Sequence, residues 1–275
     1  MDKDRARSKN ENLIDRIKKL GSLLVAFSGG VDSTFLLAVA HQILGEKAMA
    51  ATASSEIHSH SEIKEAGDFT RTRNIKHIIF PSHEMSLSIF VSNGADRCYH
   101  CKRHLFDSLS AIAEENGMAH VAHGANVDDL NDYRPGFRAA KETGVLAPLI
   151  AAGLNKEEIR FLSKEMGLSN WNKPAMPCLA TRIPYGSPIT GEKLKMIEKA
   201  EAFLLEKGFF ENRVRHHGST ATIEVNTGKL KDALEEKIRK SILKYFHGIG
   251  FEHIALDMEG YVSGKMNRGL RGKAE

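Results

Sequence analysis

Ser28-Gly-Gly-Val-Asp-Ser33 is the segment whose residue types and spacing most directly specify chemistry. Gly29 and Gly30 let the backbone turn tightly and bring its N–H groups close to an anion. Ser28 and Ser33 add hydroxyl donors and Asp32 a carboxylate. A helix starting near Ser33 would aim its positive end at the same spot. Such a cradle suits pyrophosphate at the carboxyl edge of a parallel sheet. It is not a Walker A loop, because the Gly-Lys-Ser/Thr ending of that loop is absent. A ligand-free Gly-rich turn is the competing reading, and six matched residues between an apolar strand and an amphipathic helix weigh against it.

A second cluster, Gly124-Ala-Asn-Val-Asp-Asp129 followed by Asp132, Arg134 and Gly136, comes just after a predicted strand. It is therefore expected on the same sheet edge, with Gly124, Asn126, Asp129 and Arg134 near the phosphate cradle; its carboxylates, Asp128 among them, could hold Mg²⁺, and Arg134 or Arg138 could meet phosphate. Taken alone, it reads equally well as a solvated acidic turn; the shared edge favours function. The three cysteines form a Cys98-Tyr-His-Cys101 pair, directly before a predicted helix at Lys102, and a distant Cys178 in a proline-rich loop. A CxxC pair can be a redox couple, half of a zinc site completed by His100 or His104, or part of an iron–sulfur site. Arg213 and Arg215 alternate along a predicted strand, so both face one side, where paired charge-assisted bonds to a phosphate are possible.

The elements that would position these residues read as α/β. Predicted strands at Ser22–Phe27, Lys47–Ala53, Lys76–Phe80 and Ala119–Gly124 alternate with helices at Ser33–Leu44, Ser61–Arg73 and Lys102–Asn116, the pattern of a parallel sheet with helices on both faces. Asn155 and Glu158 form a capping box for a further helix that stops at Gly167. Residues 173–189 carry four of the seven prolines and read as an active-site loop between a first domain, 1–172, and a smaller α+β domain, 190–275. The smaller domain is expected to hold helix Glu192–Lys207, strands Arg213–His217 and Thr220–Asn226, helix Lys229–His247 and strand Phe251–Met258.

The chain has 275 residues, 41% of them hydrophobic, and a net charge of +4. These are ordinary globular values, too weakly basic to call for nucleic acid. No apolar run is long enough to span a bilayer, the N-terminal stretch lacks a signal-peptide core, and three cysteines do not make a disulfide framework. The expectation is a cytoplasmic protein.

The SGGVDS segment resembles the PP-loop of the ATP pyrophosphatases, which cleave ATP between its α and β phosphates and adenylate a substrate. Taken with DRCYHCK, GANVDDLNDYRPG, KPAMPCLATRIPYG and the Arg213-Val-Arg215-His-His-Gly segment, the chain resembles the LarE family of ATP-dependent sulfur transferases over nearly its whole length. The resemblance implies ATP, Mg²⁺ and a pyridinium-3,5-biscarboxylate mononucleotide substrate on the way to a nickel-pincer cofactor. It implies catalytic roles for Ser28, Asp32, Ser33 and Cys178, with Arg182, Arg213 and Arg215 gripping the substrate phosphate and Glu201 and Glu224 in an acidic metal-binding set. Cys98, Cys101 and Cys178 would place the chain in the branch that holds a 4Fe–4S cluster, the alternative being sacrificial use of the Cys178 sulfur. A sulfide donor, a downstream nickel-insertion protein and a homo-oligomeric state complete these expectations. The rival enzymes are a PP-loop tRNA thiolase, which predicts a basic stripe or an added RNA-binding domain, and an ammonia-using synthetase, which gives Cys178 no task. A non-catalytic nucleotide- or metal-binding regulator would show no ATP turnover.

Overall fold

The apolar run Leu23–Ala26 forms the central strand of a parallel sheet, and its side chains alternate between two cores as a strand's period of two requires. Leu23 and Val25 enter one core, Leu24 the other. The structure, a computed structural model, describes residues 1–131, 136–174, 176–262 and 264–269. In chain order the first elements are α1 (Lys3–Lys18), β1 (Leu23–Ala26), α2 (Val31–Leu44), β2 (Ala48–Ser54), α3 (His60–Thr72) and β3 (Lys76–Pro81). Next come the one-turn α4 (Ser88–Val91), α5 (Arg97–Glu115), β4 (His120–His123), α6 (Gly136–Thr143), α7 (Pro148–Ala151) and α8 (Lys156–Glu165). The last are α9 (Gly191–Glu206), β5 (Asn212–His217), β6 (Thr220–Val225), α10 (Leu230–Leu234), α11 (Glu236–Gly248) and β7 (His253–Leu256).

The chain divides into two units, one of residues 1–84 and 96–176, the other of 85–95 and 177–275. The division falls inside the proline-rich segment, and residues 85–95 join the second unit. In the first unit the strand order is β3-β2-β1-β4, all parallel. The order reverses between β1 and β4, and open α/β sheets bind ligands at such a switch point, outside the carboxyl ends of the strands. One face is covered by α1, α2 and α8 through Leu13, Ile17, Phe35, Leu36, Ile159 and Leu162. The other is covered by α5 and α6 through Phe106, Leu109, Ala113, Ala139 and Ala140. This is the α/β architecture with helices on both faces that the sequence pattern specifies.

The second unit packs α9, α10 and α11 against a three-stranded sheet ordered β5-β6-β7, with β5 and β6 antiparallel and β6 and β7 parallel. Phe209, Val214, Ile223, Val225, Phe246 and Phe251 form its core. Among the described residues no helix is long and apolar enough to cross a membrane.

Three departures from the sequence expectation stand out. The charged N-terminal stretch is a helix, α1, capped by Asp2, whose side chain accepts from the Asp4 and Arg5 amides, and it buries only Ala6, Leu13 and Ile17. The α5 helix begins at Arg97, so Cys98 and Cys101 are its second and fifth residues rather than lying before it. The expected helix over Lys229–His247 is broken at Glu235, whose extended backbone (φ −54°, ψ 134°) separates α10 from α11.

Candidate active site

The SGGVDS loop leaves β1 and enters α2 with Gly30 as the N-cap, and no side chain caps the helix end there. Gly29 has φ +70°, a left-handed conformation open to glycine at no steric cost. Ser33 Oγ organises the loop: it donates to the Gly30 carbonyl (3.1 Å), accepts from the Ser28 amide (3.3 Å) and meets Ser28 Oγ at 3.1 Å. The uncapped amides at the head of a fourteen-residue helix are the orphan donors that favour an anion.

Gly124, at the end of β4, backs directly onto this loop. A Cβ added there would lie 2.7 Å from Ser33 N and 2.9 Å from Ser33 Cα, so two backbones meet with no room for a side chain. The loops from either side of the switch point are thereby one structure. Beyond Gly124, Asn126 Oδ1 accepts from the Asp128 amide (2.9 Å) and Asp129 Oδ2 from the Asn126 amide (3.0 Å). Asp132 and Arg134 lie outside the described residues.

Lys156, the first residue of α8, is a site residue that sequence reasoning missed. Its Nζ lies 2.5 Å from Asp32 Oδ2, and its backbone N–H donates to Asp128 Oδ2 at 2.8 Å, so it joins the two loops from a third segment. The sequence signal available was the Asn155–Glu158 capping box, which the structure forms in full and which places Lys156 at the first position of the helix. The other Asp32 oxygen, Oδ1, is buried without a well-formed hydrogen bond. Burial pushes the Asp32 carboxyl above its ordinary range, Lys156 opposes that, and the neighbouring Asp129 carboxylate adds to it. A cleft of about 500 Å³ borders Asp128 and Lys156 and is lined further by Arg160, Lys164 and Trp171.

His123 precedes Gly124 and packs against Phe106 and Phe137, with ring centroids 5.5 and 6.2 Å away. Its Nε2 is buried with no hydrogen-bond partner among the described residues. Burial, and secondarily the Lys102 ammonium, push it down to about 4. An unfolded imidazole titrates at about 6.5, so through the window between those values the unfolded chain binds a proton that the folded state refuses. Stability is therefore full above the unfolded value and is lost as the pH falls towards the folded one. The expected result is a melting temperature that drops on acidification and a shallower drop in His123→Phe, measured by circular dichroism. His58, His77 and His216, also held down by burial, keep that variant's slope above zero.

The second unit holds the arginines. Arg213 and Arg215 share a face of β5, as their spacing specifies. Arg215 forms a forked pair with Glu224 (3.0 and 2.9 Å) and donates to the Thr181 carbonyl at 2.9 Å. Arg182 forms a second forked pair with Glu201 (2.8 and 2.7 Å), while its Nη1 donates to the carbonyls of Pro177 (2.5 Å) and Cys178 (3.1 Å). Arg182, expected at the substrate phosphate, is 1% exposed and holds the Cys178 loop in its path. Glu201 and Glu224, expected among metal ligands, are matched to these two guanidiniums. Arg213 lies over the Tyr261 ring (5.0 Å) and donates to the Asn212 carbonyl (2.6 Å). Burial and then the nearby Arg182 push its pKa down.

Cys98 and Cys101 sit three residues apart near the start of α5, so they share a face of that helix, in the first unit. Cys178 is the N-cap of a short 3-10 turn in the second. All three are half-buried thiols. Among the described residues no three His, Cys, Asp or Glu side chains are grouped as they would be to hold a metal ion.

A parallel sheet reversing between β1 and β4, with SGGVDS after one strand and a glycine in backbone contact with it after the other, defines a PP-loop ATP pyrophosphatase. The chain is 40% identical to an uncharacterized protein of Synechocystis sp., over 96% of this chain and 98% of that one. It is 34% identical to the pyridinium-3,5-bisthiocarboxylic acid mononucleotide synthase of Lactiplantibacillus plantarum, over 94% of both chains. A weaker similarity, 24% over 71% of this chain and 42% of the relative, links it to the glutamine-hydrolyzing GMP synthase of Aeropyrum pernix. No family model matches the chain. The chain belongs to the LarE family of ATP-dependent sulfur transferases.

Proposed function

We propose that this chain adenylates a carboxylate of pyridinium-3,5-biscarboxylate mononucleotide with ATP, releases pyrophosphate, and delivers sulfur to the activated carbon to form a thiocarboxylate. The observation that carries the reading is the backbone contact between Gly124 and Ser33, which fuses the loops flanking the switch point into one anion-binding edge. The name of the Lactiplantibacillus relative supplies the product class. In the first step a carboxylate oxygen of the substrate bonds to the α phosphorus and the bond to the bridging oxygen breaks. Ser28, Ser33 and the amides of Gly29 and Gly30 meet the charge that develops on the departing pyrophosphate. Lys156 is placed to balance that charge from the other side, with Asn126 and Asp129 shaping the adjoining loop. In the second step sulfur adds to the acyl carbon and AMP leaves with the former carboxylate oxygen.

Asp32 Oδ1, which lacks a well-formed hydrogen bond, fits a Mg²⁺ ion, which commonly takes one or two carboxylates plus phosphate oxygens rather than an all-protein cage. Bound there, Mg²⁺ would neutralise phosphate charge. Cys98 and Cys101 belong to the first unit and Cys178 to the second, and the family resemblance makes these three thiols the ligands that a 4Fe–4S cluster would take. The sulfur source is read from the protein after turnover. Loss of the mass of hydrogen sulfide from Cys178 marks the sacrificial route, and an unchanged mass with added sulfide as the donor marks an external supply. The wider reading, a cytoplasmic homo-oligomer whose product passes to a nickel-insertion protein, rests on the family. Incubation with ATP and the mononucleotide should yield pyrophosphate, AMP and a thiocarboxylate by mass spectrometry. ADP and inorganic phosphate would overturn the assignment.

Substrate phosphate is assigned to Arg213 and Arg215, which alternate along β5 and so share one of its faces. Arg213→Ala should raise KM for the phosphorylated substrate about ten-fold to a hundred-fold, the worth of one charge-assisted hydrogen bond. Steady-state kinetics on the phosphorylated and dephosphorylated substrates make the check, and equal losses on both would show a structural role.

A further inference from the structure

We infer that Asn170 is a positioning residue for the ATP step, one that keeps the central peptide of the SGGVDS loop turned to receive pyrophosphate. The inference rests on the ATP reading above. Asn170 lies after α8, far from the loop in sequence, yet its side-chain amide is bound to it. One Nδ2 hydrogen goes to the Gly29 carbonyl oxygen at 3.1 Å and the other to Thr34 Oγ1 at 2.8 Å. Only this amide orientation gives the Gly29 carbonyl a donor, since the reverse would oppose two oxygens. Both donor hydrogens are thereby used, one on the loop and one on the helix it enters.

The consequence follows from peptide geometry. The Gly29 carbonyl and the Gly30 N–H belong to one planar trans unit and point in opposite directions. Holding the carbonyl inward turns the Gly30 N–H outward, toward the exposed Ser28 Oγ, which is 3.4 Å away. That contact is long enough to leave the N–H available to a stronger acceptor. Gly29, at φ +70°, and Gly30 carry no side chain to resist rotation of the peptide between them. Without the Asn170 amide, this unit is free to flip and present a carbonyl oxygen where the pyrophosphate must sit. Thr34 is fully buried and fixes the distant end of the clamp. Asn170 touches no reacting atom in this account; it acts through Gly29.

The test is calorimetric titration of the full-length chain with inorganic pyrophosphate in Mg²⁺ buffer and, separately, with AMP. Asn170→Ala should weaken pyrophosphate at least about ten-fold and leave AMP, which lacks the β and γ phosphates, within about two-fold. Asn170→Leu, similar in size and without a donor, should reproduce the result and decides the matter if the alanine variant does not fold. Equal weakening of both ligands, or no weakening of either, in a variant that keeps the wild-type melting temperature would overturn the proposal. Wild-type protein that binds pyrophosphate alongside unaffected variants would sink this inference alone. Wild-type protein that binds no pyrophosphate would sink it together with the ATP reading.

Discussion

Ser33→Ala is expected to slow ATP-dependent pyrophosphate release by roughly 10²–10³-fold, the loss typical of removing one preorganised donor from developing charge. Ser33 Oγ has three partners within the loop, the Ser28 amide, Ser28 Oγ and the Gly30 carbonyl, so its removal loosens the cradle as well as deleting a donor. The fold should survive, because the change deletes one oxygen and the α2 core residues Phe35, Leu36 and Val39 are untouched. Ser28→Ala should act more mildly, since Ser28 is exposed and its hydroxyl has weaker anchorage. A coupled pyrophosphate assay with a parallel thermal melt makes the comparison. Full activity in the Ser33 variant would remove the loop from the catalytic account.

Arg182→Ala is expected to destabilise the second unit by about 3–5 kcal/mol, the usual cost of leaving one partner of a buried ion pair alone. Arg182 and Glu201 have side chains 1% and 11% exposed, so water cannot replace the lost partner. Glu201 also accepts from the Val214 amide at 3.0 Å, and the unpaired carboxylate would disturb β5 where Arg213 and Arg215 are carried. The same substitution frees the Pro177 and Cys178 carbonyls, so alkylation of Cys178 should accelerate under conditions where the protein is still folded. Arg182→Lys should recover little, because an ammonium cannot form the fork to Glu201 and hold two carbonyls at once. Urea unfolding and timed alkylation with peptide mass mapping read the two effects separately. An unchanged unfolding midpoint would show that the pair does not hold the unit together.

Local signals made much of this legible. The β1–loop–α2 passage is readable because a strand, a turn and a helix lie within one short stretch, and the Asn155–Glu158 box because both partners are three residues apart. Residues joined across long separations were not readable. Lys156 and Asp32 are 124 residues apart, and nothing local marks Lys156 among the chain's 39 basic residues. Arg182 reads as a phosphate ligand in sequence because its charge is visible there while the matching Glu201, on another element, is not. The α1 helix escaped because its buried side is only three residues wide in a charged segment, too thin a stripe to give a periodic signal. The break at Glu235 carries no Gly or Pro to announce it.

Residues 85–95 belong to the second unit, and that membership sets a condition on biosynthesis. Asn93, fully buried at φ +62°, donates through Nδ2 to the carbonyls of Pro184 and Ser187, while its own carbonyl accepts from the Gly186 amide. The Ile189 amide likewise reaches back to the Val91 carbonyl. These partners are translated long after residues 85–95 leave the ribosome, on the order of ten seconds later at ordinary elongation rates. The nascent chain must therefore keep the 85–95 segment waiting, with its buried hydrogen-bonding groups unmatched, until the Cys178 loop has been made. A fragment starting at Pro177 would lack this segment altogether and leave the Pro184 and Ser187 carbonyls without their donor. The two units are thus a single product of translation, and neither a proteolytic cut nor a gene truncation near residue 177 separates them cleanly.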